Sequence, residues 1–102
     1  MNTGFSIFWT DEANNNYDDI INYLSIHWSV KEKIEFVRKL EKRIEAIKQF
    51  PLIFPKSVLY NNTHRSVLTE HITIYYSIEK KIIKIYSLFD VRQDPKKIKI
   101  NR

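Results

Sequence analysis

The stretch His64 to Pro95, HRSVLTEHITIYYSIEKKIIKIYSLFDVRQDP, decides the fold. It holds three successive runs rich in Ile, Val, Tyr, Thr and Phe: Arg65 to Glu70, Ile72 to Ile78 and Ile82 to Asp90. Such residues pack well on a pleated surface. In the middle run Ile72, Ile74, Tyr76 and Ile78 alternate with Thr73, Tyr75 and Ser77, the period of a half-buried strand. Glu79-Lys80-Lys81 is a polar break of hairpin length. The expected product is an antiparallel three-stranded meander with one face on a core, opened by Arg65 and followed directly by Arg92.

Upstream of the meander, PLIFPKSVLYNN at 51–62 reads as a loop. Two prolines and an Asn-Asn turn signal break regular structure there, with Leu52, Phe54 and Leu59 expected under the helices. Before it, Ser29-Val-Lys-Glu32 has the pattern of a capping box and starts a helix over about 30–50. Its apolar stripe is Val30, Ile34, Val37, Leu40, Ile44, Ile47 and Phe50, widened by Phe36 and Ala46. Pro51 ends it. An earlier helix, about 11–28, follows Thr10 as N-cap, with Asp11 and Glu12 at its positive dipole end. Ala13, Tyr17, Ile20, Ile21, Leu24 and Trp28 form its stripe, which assigns Trp28 to the core. Asn14-Asn15-Asn16 weakens its first turns. Phe5 to Trp9 is a short strand, apolar on both sides and so expected to be covered on both. The order β-α-α-β-β-β gives an α+β fold with a helical hairpin packed on one face of an antiparallel sheet.

A length of 102 residues with 43% hydrophobic content suits one folded domain, 1–102, whose last segment, 96–102, is a basic tail. There is no Cys, which removes disulfides and thiolate metal sites. The single Gly removes phosphate-binding loops, and with them nucleotide cofactors. No metal and no cofactor are expected. No apolar run approaches the ~20 residues of a membrane span, and the N-terminus lacks the form of a signal peptide, so a cytoplasmic location is expected. Charge is segregated: residues 1–30 hold four acids and no Lys or Arg, whereas residues 31–102 hold all seventeen cations against eight acids. Within a net charge of +5 this is −4 followed by +9, a basic surface suited to an acidic partner.

An ordered set of residues spread over nearly the whole chain resembles the RelE/ParE superfamily of toxins from bacterial type II toxin–antitoxin systems. The set runs from Ala13 through Tyr17-Asp-Asp-Ile20, Tyr23, Trp28, Phe36, Leu40, Ile44 and Ile47. It continues with Phe50-Pro51, Phe54-Pro55, Arg65, Ile74-Tyr-Tyr76, Ile83-Lys-Ile85 and Phe89-Asp-Val-Arg92-Gln-Asp-Pro95. The hairpin ending in Trp-Ser and the closing Arg-Gln-x-Pro look more like the ParE branch. The resemblance implies a growth-inhibiting toxin neutralised by a cognate antitoxin. ParE-like members poison DNA gyrase; RelE-like members act as mRNA endonucleases on the ribosome.

Cutting RNA through its 2′-OH needs a base, cations for the phosphorane and an acid for the leaving oxygen. By the resemblance, Arg65 and Arg92 stand where RelE-type nucleases carry sheet arginines, and guanidinium groups suit phosphate. RNase members place a Tyr or His after the last strand; residues 93–102 contain neither. His64, in a turn and expected to be exposed, is then the candidate acid or base, with His71 and Tyr60 behind it. The missing terminal acid favours a ParE-like inhibitor that binds gyrase through Arg65, Arg92, Lys96 and Lys97. The alternative partners are the ribosome and mRNA.

Overall fold

The computed structural model describes residues 4–58 and 62–92. Its elements, in chain order, are β1 (Ser6–Trp9), α1 (Asp11–His27), α2 (Val30–Gln49), β2 (His64–Val67), β3 (Ile72–Glu79) and β4 (Ile82–Asp90). The four strands form one sheet in the order β1-β4-β3-β2. β2, β3 and β4 are the antiparallel meander expected from the sequence, and β1 pairs with β4 in parallel. Ala13, Ile20 and Leu24 of α1 and Phe36, Leu40 and Ile47 of α2 meet Ile72, Ile74, Tyr76, Ile83, Ile85 and Leu88 in one core.

Both helix starts form as their sequences dictate. The Thr10 hydroxyl accepts the Ala13 N–H at 3.0 Å. Ser29 and Glu32 exchange both bonds of the capping box, with Ser29 N–H to Glu32 Oε1 at 3.0 Å and Glu32 N–H to Ser29 Oγ at 3.2 Å. The expected weakness at Asn14–Asn16 is offset by one bond within the helix and one to β4. Asn16 donates to Glu12 at 3.0 Å and accepts the Leu88 N–H at 3.0 Å.

β4 contains a bulge that the sequence pattern did not announce. Tyr75 lies opposite Ser87 and Tyr76 opposite Ile85, so Tyr86 is the extra residue. One inserted residue reverses the alternation. Ile83 and Ile85 before it and Leu88 and Asp90 after it therefore share the helix-facing side, all at 2% exposure or less. The edge of β4 beyond the end of β1 is closed by the start of α1. Thr10 N–H reaches Ile85 O at 3.1 Å, Thr10 Oγ1 donates to Tyr86 O at 2.8 Å, and Asn16 takes the Leu88 N–H.

Three expectations of burial fail for one reason: periodicity reports which face is apolar, not how far the neighbouring layer extends. β1 is an edge strand, and Phe8 on its second face is half exposed. Trp28, Val30 and Ile34, near the corner of the hairpin, are likewise open to solvent. In the loop after α2, Phe54 packs edge-on against Tyr76, but Leu52 is exposed; Leu59 lies outside the described residues.

Candidate functional site

Cross-strand register fixes which face each candidate residue occupies. Ile74 and Tyr76 enter the core, so Tyr75 between them lies on the face away from the helices, and Arg65, its partner on β2, lies there too. Arg65 is exposed. Tyr75 is buried, and burial pushes the pKa of its hydroxyl up while the Arg65 charge opposes the shift.

Arg92 belongs to the opposite side. It leaves the end of β4 toward α1, and its guanidinium stacks 4.6 Å from the centre of the Tyr23 ring. Asp90 holds it in a fork: Nε to Oδ1 at 2.9 Å and Nη2 to Oδ2 at 2.8 Å. The Arg92 backbone N–H also donates to Asp90 Oδ1, at 2.9 Å. The Asp90 side chain is 1% exposed and that of Arg92 19%. The hydrogen bond to Asp90 raises the Arg92 pKa above its ordinary value against the opposing effect of burial. The local sequence explains the fork. A strand end with Asp at i and Arg at i+2 lets the carboxylate cap the backbone and grip the guanidinium together.

His64 is not the exposed turn residue expected. It is the first residue of β2, 8% exposed, and its ring stacks on Tyr76 at 5.3 Å between centroids. Its Nδ1 lies 2.9 Å from Phe54 O. A carbonyl only accepts, so Nδ1 carries the proton. Thr63 just before it and Ser66 two residues after it are also buried, which residue type alone conceals. His71 is partly exposed and lies 3.8 Å from Glu70. Tyr60, Lys96 and Lys97 lie outside the described residues.

The candidates are thus dispersed. His64 pairs with Tyr76 whereas Asp90 pairs with Ile72, four residues away on β3 and roughly 13 Å along the strand. Arg65 is separated from both by the sheet itself. Two residues that sequence reasoning passed over do the holding here. Asp90 occupies Arg92, and Arg43 of α2 donates to Ser66 Oγ at 2.7 Å and Val67 O at 2.6 Å. Only the Asp-x-Arg spacing left a readable signal.

The helical hairpin offers a surface of another kind. A cleft of about 550 Å³ opens between α1 and α2 over Trp9, Tyr17, Val37, Leu40 and Ile44, with Glu41 and Glu45 at its rim. A second, of about 420 Å³, shares Tyr17 and Val37 and ends at Lys33 and Arg38. The two make one apolar groove, acidic at one end and basic at the other, along the outside of the hairpin.

The sequence matches, over residues 7–95, the model of a known family, the ParE toxin of type II toxin–antitoxin systems (parDE). The chain belongs to the ParE toxin family. Among solved structures, this ParE-family chain is similar to the chromosomal ParDE toxin–antitoxin system of P. aeruginosa. The TM-score is 0.74 and the identity 15%, over 85% of this chain and 96% of that one. It is also similar to YafQ of E. coli, with TM-score 0.59, 9% identity and coverage of 84% and 92%. The YoeB–YefM complex of Staphylococcus aureus matches with TM-score 0.56, 16% identity and coverage of 83% and 94%. At these identities the likeness is one of fold. No curated protein sequence matches the chain significantly.

Proposed function

We propose that this ParE-family protein arrests growth in the cytoplasm by binding DNA gyrase, without chemistry of its own, and that a cognate antitoxin neutralises it. The observation that carries the reading is the state of Arg92. A guanidinium whose fork is filled by a buried carboxylate, and whose flat face is filled by Tyr23, has little left for a scissile phosphate. Further support comes from His64, which is buried with Nδ1 committed to a carbonyl, and from Arg65, which lies across the sheet from both. A phosphoryl-transfer site needs its acid, base and cations converging within hydrogen-bond reach of one group.

In this reading Arg65 is a contact to the target, with Lys96 and Lys97 further along the chain. Arg92 positions the end of β4. The interhelical groove takes the antitoxin, as a helix laid into an apolar channel. One observation favours the second reading, a ribosome-dependent mRNA endonuclease: Arg65 is exposed beside the Tyr75 hydroxyl on the face free of helices.

The test is supercoiling by purified gyrase in the presence of the toxin, together with pulse labelling after induction. The expected result is inhibited supercoiling and an early fall in DNA synthesis. Early loss of translation with DNA synthesis intact would defeat the gyrase reading in favour of the nuclease.

A further inference from the structure

In the turn that follows α2, backbone carbonyls face inward and three apolar side chains are exposed. Pro51 O accepts the Tyr76 hydroxyl at 2.6 Å, and Phe54 O accepts His64 Nδ1–H at 2.9 Å. Phe50 O accepts the Ile53 N–H at 3.1 Å, closing a turn with Pro51 at its second position, where the fixed φ of proline suits it. Phe54 stands edge-on to Tyr76, with the Arg43 guanidinium 5.5 Å above its ring. The turn is thus bolted at both ends to the buried Tyr76–His64 stack. Between the bolts Leu52 and Ile53 are 76% and 67% exposed, and Phe50, just before the first, is 60% exposed.

Turns at a surface usually present polar tips, because nothing covers them. A rigid turn with aliphatic tips has already met the ordering cost that a flexible loop incurs on binding. Its surroundings in sequence state the sign of what covers it. Residues 46–69 contain Lys48, Lys56 and Arg65 and not one Asp or Glu. Aliphatic tips make no use of bases or phosphates, but they fill an apolar pocket, and the cations suit carboxylates around its mouth.

We propose that the turn 50–53 is the anchor by which this toxin docks on its protein target, with Leu52 and Ile53 entering an apolar pocket rimmed by carboxylates. The proposal rests on the toxin having a protein target, and not on gyrase being that target.

The experiment compares the inducer dose that arrests growth for the full wild-type chain, for Leu52→Asp/Ile53→Asp and for Lys56→Glu. Thermal melts confirm folding, and Leu52→Ser/Ile53→Ser replaces the acidic pair if that variant melts early. Loss of an anchoring pair weakens binding by about 30-fold, so the arresting dose should rise by that order. Lys56→Glu should raise it by a few fold only, as expected of a rim charge. Arrest by the folded double variant at the wild-type dose overturns the proposal, as does a wild-type chain that arrests nothing. Two further outcomes also overturn it. One is wild-type arrest combined with escape from a co-expressed antitoxin, which gives the turn to the antitoxin. The other is sedimentation of the wild type, but not the variant, with phosphatidylglycerol vesicles, which gives the turn to a membrane. Supercoiling assays separate this idea from the gyrase reading. If gyrase is untouched while arrest still depends on Leu52 and Ile53, the anchor stands and gyrase falls. If wild type and variant inhibit gyrase equally, the anchor falls and gyrase stands.

Discussion

Each face of the sheet carries an arginine near its end and a tyrosine in mid-strand, and the two faces use them in opposite ways. On the helix side, Arg92 is locked to Asp90 and Tyr23, and Tyr76 is fully buried with its hydroxyl on Pro51 O. On the other side, Arg65 is exposed and acts on the Tyr75 hydroxyl through its charge. Two arginines that look equivalent in sequence, one opening the meander and one following it, therefore differ in kind. One holds structure together; the other is available. What separates them is a carboxylate two residues away and an aromatic ring on the first helix.

The contrast is broken most easily at its strong end. Arg92→Ala leaves the Asp90 carboxylate buried and unpaired, which should cost about 3 kcal/mol. That is a large share of the roughly 5–15 kcal/mol that holds a domain of this size. Asp90→Ala should cost somewhat less, because Arg92 keeps Tyr23 and some contact with water. The double variant should be more stable than Arg92→Ala alone, since the carboxylate left without a partner is gone. Urea denaturation of the four proteins checks this. An Arg92→Ala protein as stable as the wild type would show that the fork is incidental and would reopen Arg92 as a contact for substrate.

The limits of sequence reading follow the same division. Caps, helix ends and the hairpin were legible because their causes are local: Thr10, Ser29 with Glu32, and Pro51 act within one turn of chain. The meander was legible because Ile72 to Ile78 alternates strictly. The bulge at Tyr86 was not, since Ile82 to Asp90 is apolar enough to satisfy either phase. Its carbonyl is satisfied by Thr10, seventy-six residues away. His64 was misjudged because Asn61-Asn62-Thr63 reads as a surface turn, while burial of the ring depends on Tyr76 and Phe54. The arginines were found by type and order, but whether each is free depends on register, on Asp90 and on Tyr23.

A second test follows the tyrosines through pH. Burial raises Tyr76 from 10.0 to about 12, so the folded state holds its phenolic proton more tightly than the unfolded chain. The stability this represents is complete below pH 10 and is lost as pH rises toward 12, by up to ~2–3 kcal/mol. Tyr76→Phe should flatten that fall, while costing about 1 kcal/mol at neutral pH through loss of the bond to Pro51 O. Stability measured at steps between pH 8 and 12 checks both. An unchanged slope in the variant would mean that the alkaline loss comes from elsewhere in the chain.

The weak end of the comparison gives the smallest effect on stability and the cleanest one on function. Arg65 is exposed, so Arg65→Ala should change stability by no more than ~0.5 kcal/mol. Its charge opposes the rise of the Tyr75 pKa, so removing it should move the Tyr75 pKa further up. A phenolate titration of Arg65→Ala against wild type reads that direction, and salt added to the wild type should move Tyr75 the same way by screening Arg65. An Arg65→Ala toxin that melts like the wild type but no longer arrests growth assigns the helix-free face to the target. If arrest persists undiminished, Arg65 has no part in binding, and an acidic partner must be met by the remaining cations, those of α2, of the α2–β2 loop, of the β3–β4 hairpin or of the segment after Arg92.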